Sequence, residues 1–114
     1  MYEYAAELVA VVDGDTVDLK VDLGFHVYKV DRFRLLGINT PEHGQSGFQE
    51  AKDEVAKWFA DRSGKQIFIR TRKDKKEKYG RFLATVLEAD AAQSLNDLLV
   101  SKGLAKTYDG GPRT

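Results

Sequence analysis

The tightest constraint on this chain is the run Val17-Asp18-Leu19-Lys20-Val21-Asp22-Leu23, in which apolar and charged residues alternate without a break. A period of two puts every apolar side chain on one face of an extended strand and every charge on the other. Just upstream, Leu8 to Val12 is a second strand-like run, and the Asp13-Gly14 between them is a strong hairpin signal. Gly24 then turns the chain into a third run, Phe25 to Leu36, whose alternation is imperfect. A bulge or strong bend is expected there, as where a strand passes through a barrel.

Downstream, Phe48, Ala51, Val55, Trp58, Phe59 and Arg62 follow helical spacing. Ser46 and Gln49 fit a capping box, and Gly64 follows the helix end. Gln66 to Arg72 reads as a fourth strand, with Ile67 and Ile69 on one face, and Phe82 to Glu88 as a fifth. A shorter helix begins near Ser94, carries Leu95, Leu98 and Leu99, and stops at Gly103. Five short strands with a helix after the third predict a mainly β, α+β chain: a five-stranded OB-fold barrel with two or three packed helices. The 114 residues suit one domain, 1–114, with a loose tail from about residue 108.

Composition removes several classes of chemistry. With no cysteine there is neither a disulfide framework nor a thiolate metal site, and the two histidines, His26 and His43, do not stand at zinc spacing. The N-terminus is acidic and lacks an apolar run of signal-peptide length, and no stretch approaches membrane-spanning length. A cytoplasmic protein without membrane contact is expected, or a secreted one if a leader has been removed. Net charge is zero, but Lys65 to Arg81 holds eight basic residues against Asp74 and Glu77, a local surplus that attracts a polyanion if it is more than a solvated loop.

Three separated segments carry chemistry. In Asp13-Gly14-Asp15-Thr16, a tight turn accounts for Asp13 and Gly14, whereas Asp15 falls where a strand begins and has no turn-making duty. In Phe33-Arg34-Leu35-Leu36-Gly37-Ile38-Asn39-Thr40-Pro41-Glu42, polar groups cluster where an apolar strand ends, and Pro41 biases Thr40 toward extended backbone. Asp15, Asn39 and the Thr40 carbonyl make an oxygen set of the kind a hard cation takes; the alternative is a polar turn held by Asx bonds. Arg34 shares a strand face with Arg32 and needs a partner, either a nearby acid or a phosphate matched by its fork of donors. In Lys78-Tyr79-Gly80-Arg81, glycine lets the chain turn before the fifth strand, Arg81 stands at that strand's start, and Tyr79 can bond a phosphate or stack on a base. His43 follows Glu42 and either approaches this site or points elsewhere.

Together with Gly103-Leu104-Ala105-Lys106, and in this order from about Leu8 to Tyr108, these segments resemble the staphylococcal-nuclease-like, or thermonuclease, domain family. The resemblance implies an OB-fold barrel and a calcium-dependent, endonuclease-type phosphodiesterase acting on DNA and/or RNA and leaving 3′-phosphates. It implies Ca2+ ligands at Asp15, Asn39 and the Thr40 carbonyl, Glu42 as the general base, and Arg34 and Arg81 as the phosphate-binding pair. It also implies Lys78, Tyr79 and Tyr108 as substrate contacts, single-stranded or frayed nucleic acid as the favoured partner, and a monomer. Asn39 departs from the aspartate of the best-known members; it keeps an oxygen ligand but loses one negative charge, so weaker or altered metal binding is expected. The competing expectation is a non-catalytic nucleic-acid-binding or interaction module on the same barrel.

Overall fold

In a computed structural model that describes residues 2–73, 82–89 and 91–108, the alternating run is strand β2 (Thr16–Asp22), flanked antiparallel by β1 (Tyr2–Asp13) and β3 (Tyr28–Leu35). Val17, Leu19 and Val21 are buried, while Asp18, Lys20 and Asp22 lie on the opposite face. The chain continues through β4 (Ile38–Asn39), α1 (Phe48–Asp61), β5 (Ile67–Lys73), β6 (Phe82–Glu88), α2 (Leu95–Ser101) and β7 (Lys106–Thr107). Five strands close a barrel in the order β1-β2-β3-β6-β5, with β3 parallel to β6 and the other neighbours antiparallel. This is the five-stranded OB-type barrel expected from the strand pattern, with two helices among the described residues.

Closure depends on β1, which serves two partners. Tyr2 to Ala6 pair with β5, and Ala6 to Asp13 pair with β2. The register with β2 shifts between Leu8 and Ala10 and again between Val11 and Asp13, so the bend falls in β1. The bulge expected in the third strand is absent: β3 pairs with β2 from Tyr28 to Arg34 without a shift. That run looked irregular because its first three residues, Phe25 to Val27, belong to the preceding turn, where Phe25 and His26 hold φ of 55° and 60°.

The core fills the barrel with Val17, Leu19, Leu35, Ile69 and Val86 and is covered by Val55, Trp58 and Phe59 of α1 and Leu95 and Leu99 of α2. α2 begins at Ser94, whose hydroxyl accepts from Asp97 N–H at 3.0 Å. One buried polar side chain fixes its position. Asn96 accepts from Val86 N–H at 3.1 Å and donates to the Leu36 and Ala84 carbonyls at 2.9 and 3.0 Å. It thereby satisfies backbone groups where β3 ends beside β6 and holds the chain at Leu36 as it leaves the barrel.

The capping box expected at α1 does not form. The N-cap is Gly47 at φ 90°, with no side-chain cap, and the Gln49 amide donates to Asp53 at 2.7 Å. The left-handed backbone calls for the glycine, and space adds to it, because a Cβ there would lie 3.2 Å from the Pro41 ring.

Gly14 has a different role from the one its sequence context suggests. It does not hold positive φ; it permits close approach. A Cβ at this position would stand 2.7 Å from the Ala51 Cβ and 2.9 Å from Thr40 Oγ1, so the β1–β2 turn is pressed against α1 and the β4 segment. Gly14→Ala is therefore expected to cost about 1–3 kcal/mol through overpacking. The check is urea unfolding, with a lower midpoint and an unchanged m value.

Candidate active site

Strand pairing brings the first two chemical segments together. Thr16 lies opposite Arg34 in the β2–β3 ladder, and Leu35 N–H donates to the Asp15 carbonyl at 2.8 Å. Asp15 is 7% exposed. A carboxylate so buried needs donors, and it has them. Thr16 Oγ1 donates to Oδ1 and Thr40 N–H to Oδ2, each at 3.2 Å, and Arg34 Nη2 stands 3.8 Å from Oδ2.

Arg34 differs from Arg32, its neighbour on the same strand face. Arg32 has an acid partner: Nε and Nη2 donate to the two Asp18 carboxylate oxygens at 2.8 and 3.2 Å. That guanidinium holds the Asp18 carboxyl below the usual carboxylate range. Arg34 Nη2 donates instead to Asn39 Oδ1 and, at 3.4 Å, to the Ile38 carbonyl, and its Cζ lies 5.1 Å from the centre of the Tyr108 ring. Its partners are thus mostly neutral, with Asp15 at longer range.

Tyr108 reaches this place through the small second sheet. Ile38 pairs with Thr107 and Asn39 with Lys106, and Tyr108 N–H donates to the Gly37 carbonyl at 2.7 Å. The tail expected to loosen from about residue 108 is tied down through Tyr108 itself; 109–114 lie outside the described residues.

Beside these groups opens a groove of about 760 Å3. Asn39, Thr40, Pro41 and Glu42 line one part of it, and Leu104, Lys106 and Tyr108 another. Glu42 is exposed. Its backbone is clamped to Gln45, with Glu42 N–H donating to Gln45 Oε1 at 2.7 Å and Gln45 N–H to the Glu42 carbonyl at 2.9 Å. Sequence reasoning gave Gln45 no role, because a side chain that closes a turn onto backbone leaves no spacing signature. His43 packs edge-on against Phe48 at 5.0 Å, which gives its ring a structural contact. Lys78, Tyr79 and Arg81 lie outside the described residues, as does most of the basic strip; within the described part, Lys65 pairs with Glu88 and Arg70 with Glu3.

Asp15, Asn39 and Thr40 offer a carboxylate, an amide oxygen and a carbonyl, the hard donors that calcium takes. In chemical kind they fit such a cation, with a single formal negative charge among the three. Among the described residues no three histidines, aspartates or glutamates gather into a denser acidic cluster. Thr40 Oγ1, buried beside Gly14, has no hydrogen-bond partner.

The sequence profile described as "Staphylococcal nuclease homologue" matches residues 32–113. The chain belongs to this family. Arg34, Asn39, Thr40, Glu42 and Tyr108 of this staphylococcal nuclease homologue fall inside the matched span, and Asp15 precedes it. It is 30% identical over 113 residues to a protein named micrococcal nuclease from Shigella flexneri, across 93% of this chain and 59% of that protein. It is also 30% identical over 128 residues to an uncharacterised protein of Methanocaldococcus jannaschii, across 92% of this chain and 59% of the relative. The homologue thus spans about three fifths of the length of these curated relatives. No helix among the described residues is long and apolar enough to cross a membrane.

Two substitutions separate the structural bonds from the spare oxygen. Asp15→Ala leaves the Thr40 N–H without this acceptor and is expected to cost about 1–3 kcal/mol. Thr40→Val removes the unpartnered hydroxyl, keeps the backbone carbonyl, and is expected to leave stability unchanged or raise it by about 1 kcal/mol. Chemical denaturation of both variants reads the difference in sign.

Proposed function

We propose that this family member is a calcium-dependent phosphodiesterase that hydrolyses DNA and/or RNA by in-line attack of water. The supporting observation is the meeting of Asp15, Arg34, Asn39 and Thr40 at one end of the barrel, beside a groove bordered by Glu42 and Tyr108. Family membership and the name of the Shigella relative point to the same chemistry.

In this mechanism Asp15, Asn39 and the Thr40 carbonyl would hold a calcium ion, which would supply Lewis-acid polarisation of the phosphate. Glu42 accepts the proton of the attacking water. Arg34, together with Arg81, donates to the oxygens on which charge builds at phosphorus. Tyr108 shields one side of Arg34 and presents its ring to the substrate, and Lys78 and Tyr79 contact a terminal phosphate. Phosphodiester hydrolysis asks an enzyme to remove on the order of 20 kcal/mol, whereas one preorganised donor supplies about 3–4 kcal/mol. The groups must therefore act together.

Incubation of the purified protein with single-stranded DNA is expected to give cleavage with calcium and none with chelator. Binding without metal-dependent cleavage would instead establish a non-catalytic module. Glu42→Gln and Arg81→Ala are each expected to lose at least a hundredfold in turnover with unchanged far-UV circular dichroism. Near-normal turnover in either variant would remove that residue from the mechanism. Asn39→Asp restores a negative charge to the oxygen set and is expected to tighten calcium binding in calorimetric titration.

A further inference from the structure

The β2–β3 hairpin leaves the barrel as an arm. β3 meets β6 only from Phe33 to Leu35, so among the described residues Tyr28 to Arg32 have β2 alone beside them. Phe25 at the tip is 99% exposed, and Leu23, Val27, Tyr28 and Val30 are about half-exposed. Apart from Val9, these are the exposed large apolar residues of the described chain. Phe25 and His26 hold φ of 55° and 60°, although left-handed backbone crowds a Cβ and such turns favour asparagine, aspartate and glycine. The turn is nonetheless closed, with Val27 N–H donating to the Gly24 carbonyl and Leu23 N–H to the Val27 carbonyl, both at 2.9 Å. A strained tip that presents a bare phenyl ring points to a receptor for that ring.

The fold also contains a place for such a ring. An open cavity of about 230 Å3 lies under the arm, walled mainly by Tyr4, Val21, Leu23, Phe33 and Phe82. An apolar cavity of about 150 Å3 accepts a benzene-sized ring, so this one has room for a phenyl group. The chain's own Phe25 packs against nothing and so does not enter it. Charge indicates where the ring comes from. Between Asp18 and Arg32 the arm carries Lys20, Lys29 and Arg32 against Asp18, Asp22 and Asp31. Arg32 is bonded to Asp18, Lys29 Nζ lies 3.3 Å from Asp31, and Asp22 accepts from Gly24 N–H at 2.8 Å. An arm whose charges are balanced and locally paired has little field for a polyanion or a strongly basic partner, and it can face a copy of itself with opposite charges interleaved.

We propose that the β2–β3 arm is the contact of a symmetric dimer, in which Phe25 of each copy enters the cavity under the arm of the other. Tip and cavity belong to one hairpin, so a two-fold axis satisfies both at once and closes the assembly. Covering the exposed apolar side chains of the arm on both copies removes on the order of 1,000 Å2 from water, the area that a specific interface needs. Burial of the ring offsets the strain of the turn. The dimer replaces the monomer that the family resemblance implies, and it is independent of the chemistry proposed around Arg34.

The test is sedimentation velocity from about 1 to 500 μM on the wild type, Phe25→Asn, Thr71→Phe and an equimolar mixture of the two variants. Thr71 lines the cavity, so a phenyl group there fills it from within. The wild type is expected to dimerise with a micromolar Kd, and each variant to associate about thirtyfold more weakly or worse, as loss of an aromatic anchor implies. The mixture is expected to associate more tightly than either variant alone, because it combines one intact tip with one open cavity. In the unaltered protein, benzene is expected to compete for the cavity and weaken the dimer by about fivefold or more. A wild type that stays monomeric throughout the range overturns the proposal, as does Phe25→Asn dimerising with wild-type affinity. Wild-type affinity in Thr71→Phe, or a mixture no tighter than its components, shows that the ring docks elsewhere and overturns it too. A dimer indifferent to benzene does the same, whether or not Thr71→Phe folds.

Discussion

Asp15 joins the barrel to the segment that leaves it. Its carboxylate sits in the turn between the first two strands and accepts from the Thr40 amide, twenty-five residues further along the chain. Its own carbonyl takes the Leu35 amide at the end of β3. These two bonds allow β4 to pass close to the turn, and Gly14 provides the room by carrying no side chain where Ala51 and Thr40 approach. The burial that makes the carboxylate costly without donors also makes its position well defined. The placement of Asn39, and through it of Arg34, follows from that position.

The two outward arginines of β3 show how one strand yields different chemistry from the same residue. Arg32 meets Asp18 directly across the ladder and forms a two-pronged ion pair at the surface. Two residues on, Arg34 lies opposite Thr16, whose short side chain offers no counter-charge. Its guanidinium therefore extends past the strand end to an amide and a carbonyl, with the aromatic ring of Tyr108 alongside. A guanidinium held mainly by neutral acceptors, with its one carboxylate partner, Asp15, 3.8 Å away, keeps more of its field for an incoming anion than one closely paired on two prongs as Arg32 is.

Much of this was legible in the sequence, and the exceptions share a cause. The alternation of Val17 to Leu23 marked β2, and the spacing of Ala51, Val55, Trp58 and Phe59 marked the buried stripe of α1. Both are periodic signals imposed by one neighbouring core. Ser94 announced α2 because a cap is a local bond. The bends of β1 went unread because they arise from one strand changing partners, which has no residue signature. The Ser46–Gln49 pattern gave way to a left-handed glycine cap at Gly47, and Gly14 was read as a turn former because the closest contact that requires it comes from α1. The position of Tyr108 was hidden for the same reason: pairing of two-residue strands sixty-eight positions apart is set by the folded barrel.

That last pairing also separates the barrel from its rim along the chain. The last strand of the barrel ends at Glu88, and α2, which seals one side, ends at Ser101. Lys106 to Tyr108 come later still, and they alone give Gly37 to Asn39 their partner strand and Arg34 its aromatic neighbour. A truncation just before Lys106 thus spares every strand of the barrel and strips one wall from the surroundings of Arg34.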